Sequence, residues 1–325
     1  MRERVRRRAP GFLVLVAVSV LAVAVSRAFG VGSPLLLAVA FGAVAANAFP
    51  TPDALAPGLA LHGRLLEAGI VALGATLGLG ALAAVGPLVL LLVAAVVAAS
   101  VLVTELGARV AGLSRESGSL LAAGASVCGV SAVAAVAGSI DAAEESVAYA
   151  AATVLLFDAI TLAVFPALGH LLALTPREFG VWAGLAMFST GPVTAAGFAY
   201  GPLAGQWATV TKLVRNTAIG VLALFYAVGH ADADRPLRAL TSGIPGFLAG
   251  FLALAALAAT GVLPAPVTSG FDALSEACFL LAFAGLGFDL RLDAFRTAGL
   301  RPVAVVATTL LVVGTLSLAA VVALL

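Results

Sequence analysis

Charge is what this sequence has least of. Only 10% of its 325 residues are Asp, Glu, Lys or Arg, whereas 62% are hydrophobic. Soluble domains carry roughly 25% charged and 45–50% apolar residues. A chain with a mean hydropathy of +1.16 cannot cover a water-exposed surface with polar groups. Cysteine is scarce too: Cys128 and Cys278 both lie in apolar runs, which excludes a disulfide framework and a cysteine metal site. The three histidines, His62, His170 and His230, stand at segment edges and form no ligand cluster. With a net charge of +1 and no basic patch, nothing points to nucleic acid. The apolar runs do not alternate with period two, so a transmembrane barrel is excluded.

What remains is long apolar helix. In lipid every backbone polar group must be paired internally, and helices do this within one segment. The runs are about 17–25 residues long, enough to cross about 30 Å of hydrocarbon. The arginine-rich start MRERVRRR precedes a run from Gly11 to Ser26. That run is long for a signal peptide and a further apolar segment follows at once, so a retained first span is expected. Further segments are Pro34–Phe49, Leu59–Leu82, Pro87–Leu106, Ser117–Ile140, Ser146–Leu172, Gly180–Tyr200, Gln206–Val228, Ile244–Val262, Gly270–Leu286 and Pro302–Leu325. These make eleven in all, joined by short connections.

If all eleven cross, the cytoplasmic side holds Arg64, Arg109, Arg115, Arg177, Arg235, Arg238, Arg291, Arg296 and Arg301. Asp141, Glu144 and Glu145 fall outside. This asymmetry predicts a cytoplasmic N-terminus in a multi-pass protein of the cell membrane. An internal echo relates two segments: Glu67 leads after ten residues to Leu77-Gly78, and Glu276 at the same spacing to Leu286-Gly287. Gly86-Pro87 and Gly299 with Pro302 then open the next spans. An odd number of crossings between copies gives opposite orientation, the mark of an inverted repeat. The expected organisation is a single transporter domain with an extra span over 1–33, a first repeat over 34–172 and a second over 180–325.

Small and polar residues concentrate at mid-segment in two places. Gly124 to Ala135 contains Ser126, Cys128, Gly129 and Ser131. A helix interrupted near Cys128-Gly129 would expose N–H groups and a positive dipole end able to hold an anion; close helix packing is the plainer reading. Ser189-Thr190-Gly191-Pro192, with Thr194 beyond, is a second candidate break, because proline removes a donor and frees backbone groups. A simple kink is the alternative there. Charges within spans are costly and point to function. Asp158 lies near the centre of its segment. Lys212 and Arg215 lie three apart on one helix face, suited to an anionic solute or to pairing with Asp158, though they could also snorkel to the headgroups.

GASVCGVSAVAAVAGSI, EESVAYAAATVLLFDAITLAVFPALGHLL and FGVWAGLAMFSTGPVTAAGFAYGPLAGQWATVTKLVRN closely resemble the YeiH-type sulfate exporter family. LLEAGIVALGATLGLGAL and FLLAFAGLGFDLRLDAFRTAGLRP extend the likeness over most of the chain from Pro34. The resemblance implies a fold like that of bile-acid symporters and sodium/proton antiporters, with inverted repeats and two interrupted helices crossing at the substrate site. Cys128, Gly129, Ser131 and Ala132 match the first interrupted motif, and Lys212 and Arg215 the family's cations. Where the family usually has a His–acidic pair followed by Gln, this chain has Phe188-Ser189-Thr190-Gly191-Pro192, and Asp158 replaces a small or uncharged residue. In the family the two motifs look like repeats of each other. They are inverted only if both are re-entrant hairpins, leaving nine crossings; the positive-inside count favours full crossings.

The expectation is thus an all-α polytopic membrane protein, not an enzyme. It would be a secondary active transporter of a small anion such as sulfate, an organic sulfonate or a carboxylate. Ser126, Cys128, Gly129, Ser131, Ser189, Thr190, Thr194, Lys212 and Arg215 would bind the solute, and Asp158 would couple to H⁺ or Na⁺. The bilayer and a second copy in a homodimer are the other expected partners; no cofactor or metal is called for. The alternative is a cation/proton antiporter using Asp158 as its ion carboxylate.

Overall fold

The computed structural model describes residues 2–30, 33–230, 246–291 and 299–325, and only the backbone of 2–5 and 77–85. Arg235, Arg238 and Arg296, which the charge count uses, lie outside the described residues. Those residues are all-helical, as expected, and seven helices are long and apolar enough to cross a membrane. The chain is a multi-pass α-helical membrane protein. It divides into two compact units, one of Met1–Ala84 with Gly246–Leu292 and one of Val85–Pro245 with Asp293–Leu325. Each unit draws on both halves of the sequence.

The first unit contains α1 (Arg2–Phe29), α2 (Pro34–Ala48), α3 (Ala56–Leu59), the start of α4 (Leu61–Val110), α12 (Gly246–Ala259) and α13 (Ala265–Asp289). Glycines let its backbones touch. Gly11 meets Gly58, and Gly42 and Gly287 bring α2 against α13 with no room for a Cβ. Such close approach supplies van der Waals contact where lipid offers no hydrophobic drive between helices. α4 and α13, which carry the Glu67/Glu276 echo, run antiparallel. His62 pairs with Asp289 at 3.0 Å, and further along Ser275 donates to the Gly69 carbonyl at 2.9 Å. Fifty helical residues would measure about 75 Å, so α4 supplies two crossings. They part at Gly86, whose φ of +64° precedes Pro87.

The second unit contains the rest of α4, then α5 (Arg115–Ala123), a π-helical turn (Gly124–Cys128), α6 (Val130–Ile140) and α7 (Glu144–Leu171). There follow α8 (Pro176–Ala186), α9 (Thr190–Tyr200), α10 (Pro202–Asn216), α11 (Ala218–His230) and α14 (Leu300–Leu324). The expected full crossings of Ser117–Ile140 and Gly180–Tyr200 are overturned here. Beyond α6, the Ala143 N–H donates to Glu116 near the start of α5 at 3.0 Å. The chain therefore leaves where it entered. Beyond α9's midpoint the same holds: Tyr200 donates to the Leu174 carbonyl at 2.5 Å and stacks on Phe179 at 4.0 Å. Gly180 of α8 and Gly197 of α9 both press on Ala204 and Ala208 of α10, which a straight helix could not do. Both segments are re-entrant hairpins with arms of about 15 Å, half the hydrocarbon core.

They enter from opposite ends of the unit. α7 starts at the first hairpin's mouth and ends at the second's, where Gly169 meets Phe179. The α10–α11 helix runs back from the second mouth to the first, where Arg115 donates to the Gly229 carbonyl at 2.6 Å. Asp141, Glu144 and Glu145 thus share an end with Arg109 and Arg115 instead of facing away from them. Arg177 stands at the other mouth, 4.9 Å above the Trp207 ring. Charge counting misplaced these groups because a hairpin reverses the side of its return loop without lengthening its apolar run.

Candidate functional site at the hairpin tips

The two tips meet at half height in the second unit. The first tip is shaped by the π-turn, which ends with the Gly129 N–H on the Gly124 carbonyl at 3.0 Å. Gly129 then takes φ +55° and ψ −133° to start α6. Only glycine suits that conformation, and the Ser189 hydroxyl occupies the space a Cβ would need. The second tip unwinds over Met187–Ser189 between α8 and α9. Phe188 is buried there, edge-on to Phe157 of α7.

Each tip presents a helix C-terminus and a helix N-terminus. The last carbonyls of an α-helix lack intrahelical partners and carry negative dipole charge. Lys212 and Arg215, both fully buried on α10, supply those partners. Lys212 Nζ donates to Val127 at 2.6 Å and to Met187 at 3.1 Å. Arg215 donates to Ala125 and Ser126 of the first tip, and to Leu185 and Met187 of the second, all within 2.8 Å. Buried cations persist only when so bonded. Neither snorkels, and neither bonds Asp158, contrary to two of the sequence options.

The N-terminal ends are less completely bonded. Asp158, 1% exposed on α7, accepts the Ser189 N–H on Oδ1 at 2.9 Å, while its Oδ2 has no hydrogen-bond partner. Cys128 Sγ lies 3.2 Å from Thr190 Oγ1, which also accepts from Asn216 Nδ2 at 3.0 Å. Asn216 Oδ1 is buried and unpartnered. Val130 and Ser131, at the start of α6, are exposed, and Ser189 is half-buried. The open face of the site is therefore made by two helix N-termini.

Two sequence candidates stand back from that face. Ser126 is buried with its hydroxyl on the Ala123 carbonyl, contributing only its own carbonyl to Arg215. Thr194 is buried one turn into α9 and accepts from Thr209 of α10 at 3.3 Å. Cys128, Gly129, Ser189, Thr190 and Asp158 come together at the tips, and Ser131 lies exposed at the start of α6. Asn216 was missed, although it adjoins Arg215 and lies one turn from Lys212 on the same face. Glu105 was missed as well, a lone acid within the Pro87–Leu106 run that Ser119 and Tyr226 bond at 3.2 and 3.0 Å.

A family model described as Conserved hypothetical protein 698 matches residues 10–306, nearly the whole chain. The chain belongs to this family. Its relatives include a UPF0324 membrane protein of Nitratidesulfovibrio vulgaris, 34% identical over 82% of this chain and 76% of that protein. The UPF0324 membrane protein TauZ of Paracoccus denitrificans is 31% identical over 91% and 90% of the two chains. An Agrobacterium fabrum UPF0324 membrane protein is 29% identical over 95% and 91%. No solved structure matches. Membership in a UPF0324 membrane-protein family agrees with the helical, multi-pass architecture.

Proposed function

We propose that this UPF0324 member is a secondary active transporter of a small anion, working by alternating access at the hairpin tips. One observation carries the reading: two re-entrant hairpins from opposite ends bring two helix N-termini together at half height. Irregular backbone at membrane depth is tolerated only where protein buries it or a water-filled cavity meets it. Paired half-helix N-termini at the midplane suit an anionic group. In this reading the anion lies on the N–H groups of Val130, Ser131 and Thr190, beside Cys128, Gly129 and Ser189.

Lys212 and Arg215 would act through the field they impose and the carbonyls they hold, not as direct ligands. Their two positive charges against the one negative charge of Asp158 leave the buried site at +1, which favours an anion. Asp158 would be the coupling group: an anion approaching α9 competes with the carboxylate for the same helix end, and protonation of Asp158 relieves that competition. Sulfate, organic sulfonates and carboxylates are the substrate classes; the resemblance to sulfate exporters and the TauZ name of a relative put sulfate and taurine-like sulfonates first. The N-terminus would lie in the cytoplasm and the protein in the cell membrane. The hairpin-plus-helix pairs 115–171 and 176–230 would form the centre of the inverted repeat. No enzymatic role is assigned.

A second reading has its own support. The free Oδ2 of Asp158 is an acceptor for a cation or proton, as an antiporter requires. The test is counterflow in proteoliposomes of labelled taurine and sulfate, with Na⁺ and pH gradients imposed separately. Saturable anion counterflow supports the anion carrier. Electrogenic Na⁺ flux indifferent to any anion selects the antiporter, and equal anion flux by Asp158→Asn at every pH rules out Asp158 as the coupling group.

A further inference from the structure

The second unit holds a separate cavity of about 850 Å³ between α4 and α11. Its long walls are apolar, including Val97, Leu102, Val221 and Phe225, and its polar end contains Glu105, Arg109 and Arg115 at the first hairpin's mouth. It runs from Val214 of α10 to His230 of α11, and along α4 from Leu90 to Arg109. Sixteen to nineteen residues of helix measure about 24–28 Å, somewhat more than half the total bilayer thickness of about 40–45 Å. Leu102, Val221 and Phe225 are exposed, as walls facing an acyl chain would be. The cavity is long enough for one headgroup and its extended acyl chain, and it has the polarity profile of one lipid, polar at one end and apolar along its walls.

The polar end carries both signs of charge, unpaired. Glu105 precedes Arg109 by four residues, the order that most favours an ion pair on a helix, yet the two form none, and neither has an ion-pair partner among the described residues. Glu105 Oε1 takes the two bonds from Ser119 and Tyr226, and Oε2 takes none. Among the described residues Arg109 has no partner, and Arg115 spends one bond on Gly229. A smaller space of about 240 Å³ adjoins, lined by Glu105, Arg109, Ser114 and Arg115.

We propose that this cavity is a binding site for a phospholipid bearing a primary amine, of the phosphatidylethanolamine class. Arg109 and Arg115 hold the phosphate, for which a guanidinium fork is suited. Glu105 Oε2 accepts a hydrogen bond from the ammonium, and one acyl chain fills the trough. Basic clefts between spans are known forms of headgroup site. The added carboxylate is what separates an amine from other headgroups, because a trimethylammonium has no N–H to donate and a glycerol headgroup has no positive charge. The site shares no ligand residue with the hairpin tips.

The experiment uses full-length protein, delipidated in detergent, with defined phosphatidylethanolamine, phosphatidylcholine or phosphatidylglycerol added. Native mass spectrometry reads bound lipid and thermal unfolding reads stabilisation. Phosphatidylethanolamine should bind more tightly than the other two and raise the melting temperature most. Glu105→Gln, which keeps an acceptor for Ser119 and Tyr226, should erase that preference. Arg109→Gln, which breaks no bond within the protein, should weaken lipid binding by roughly tenfold, the loss of one charge-assisted contact. Equal stabilisation by phosphatidylcholine, or unchanged preference in Glu105→Gln, would overturn the proposal. So would displacement of the lipid by free phosphoethanolamine or taurine, which would make the cavity a solute site. Asp158→Asn should leave lipid binding intact, separating this result from any failure of the transport reading.

Discussion

The two kinds of helix end at the hairpin tips are treated in opposite ways. The C-terminal ends receive six charge-assisted hydrogen bonds from Lys212 and Arg215, which reach both hairpins at once. The N-terminal ends make one carboxylate bond, the Ser189 N–H donating to Asp158, and leave Asp158 Oδ2 and Asn216 Oδ1 unpartnered among the described residues. A saturated end has nothing left to offer a solute; an unsaturated one does. The cations are therefore the fastening of the tips, and in the proposed transport reading the acid side is the working face.

Breaking the fastening should have the largest effect. Arg215→Ala strands carbonyls of both tips in a dry interior, at a cost of about 1–3 kcal/mol for each one left unpaired. We expect loss of folded protein by size-exclusion chromatography, with partial recovery in Arg215→Lys. Normal folding with abolished transport, which a purely ligand role predicts, would reverse the assignment. Gly129→Ala comes next. Its φ of +55° with ψ of −133° costs a non-glycine residue about 1–3 kcal/mol, and the added methyl meets the Ser189 hydroxyl. A melting temperature equal to wild type would show that the tips are looser than their geometry implies.

Asp158→Asn sharpens the comparison from the other side. The amide oxygen can still accept from Ser189, so stability should change by less than about 1 kcal/mol while transport loses its pH dependence. A smaller effect tests the second hairpin's mouth. The Thr175 hydroxyl accepts the Glu178 N–H, and Glu178 accepts the Thr175 N–H, holding the Glu178 carboxyl below its usual range. Stabilisation from a lowered carboxyl is complete above the unfolded pKa of about 4.3 and fades as pH falls through the lower folded value. Thr175→Ala should thus cost about 1 kcal/mol at pH 7 and less at pH 4, read by thermal unfolding at both.

Much of this was legible along the chain. Cys128-Gly129 and Ser189–Pro192 announce the breaks, since small residues and proline mark where a membrane helix can be interrupted. Lys212, Arg215 and Asp158 announce themselves because a charge in lipid needs a reason. Asn216 and Glu105 did not stand out. A neutral amide beside a stronger signal, and an acid one residue from a segment end, look incidental until their partners 14 to 121 positions away are known.

By itself the sequence determined the solvent, the helices and the places where helices fail, because those follow from local hydrophobicity and backbone chemistry. Only the tertiary structure decided what the failures build. An apolar run of 24 residues satisfies the bilayer equally well as one crossing or as two half-arms. The choice rests on contacts between residues far apart in sequence, Ala143 with Glu116 and Tyr200 with Leu174. The same holds for the cations. Their charge is written in the chain, but their use was fixed by two helix C-termini that converge only in the folded protein.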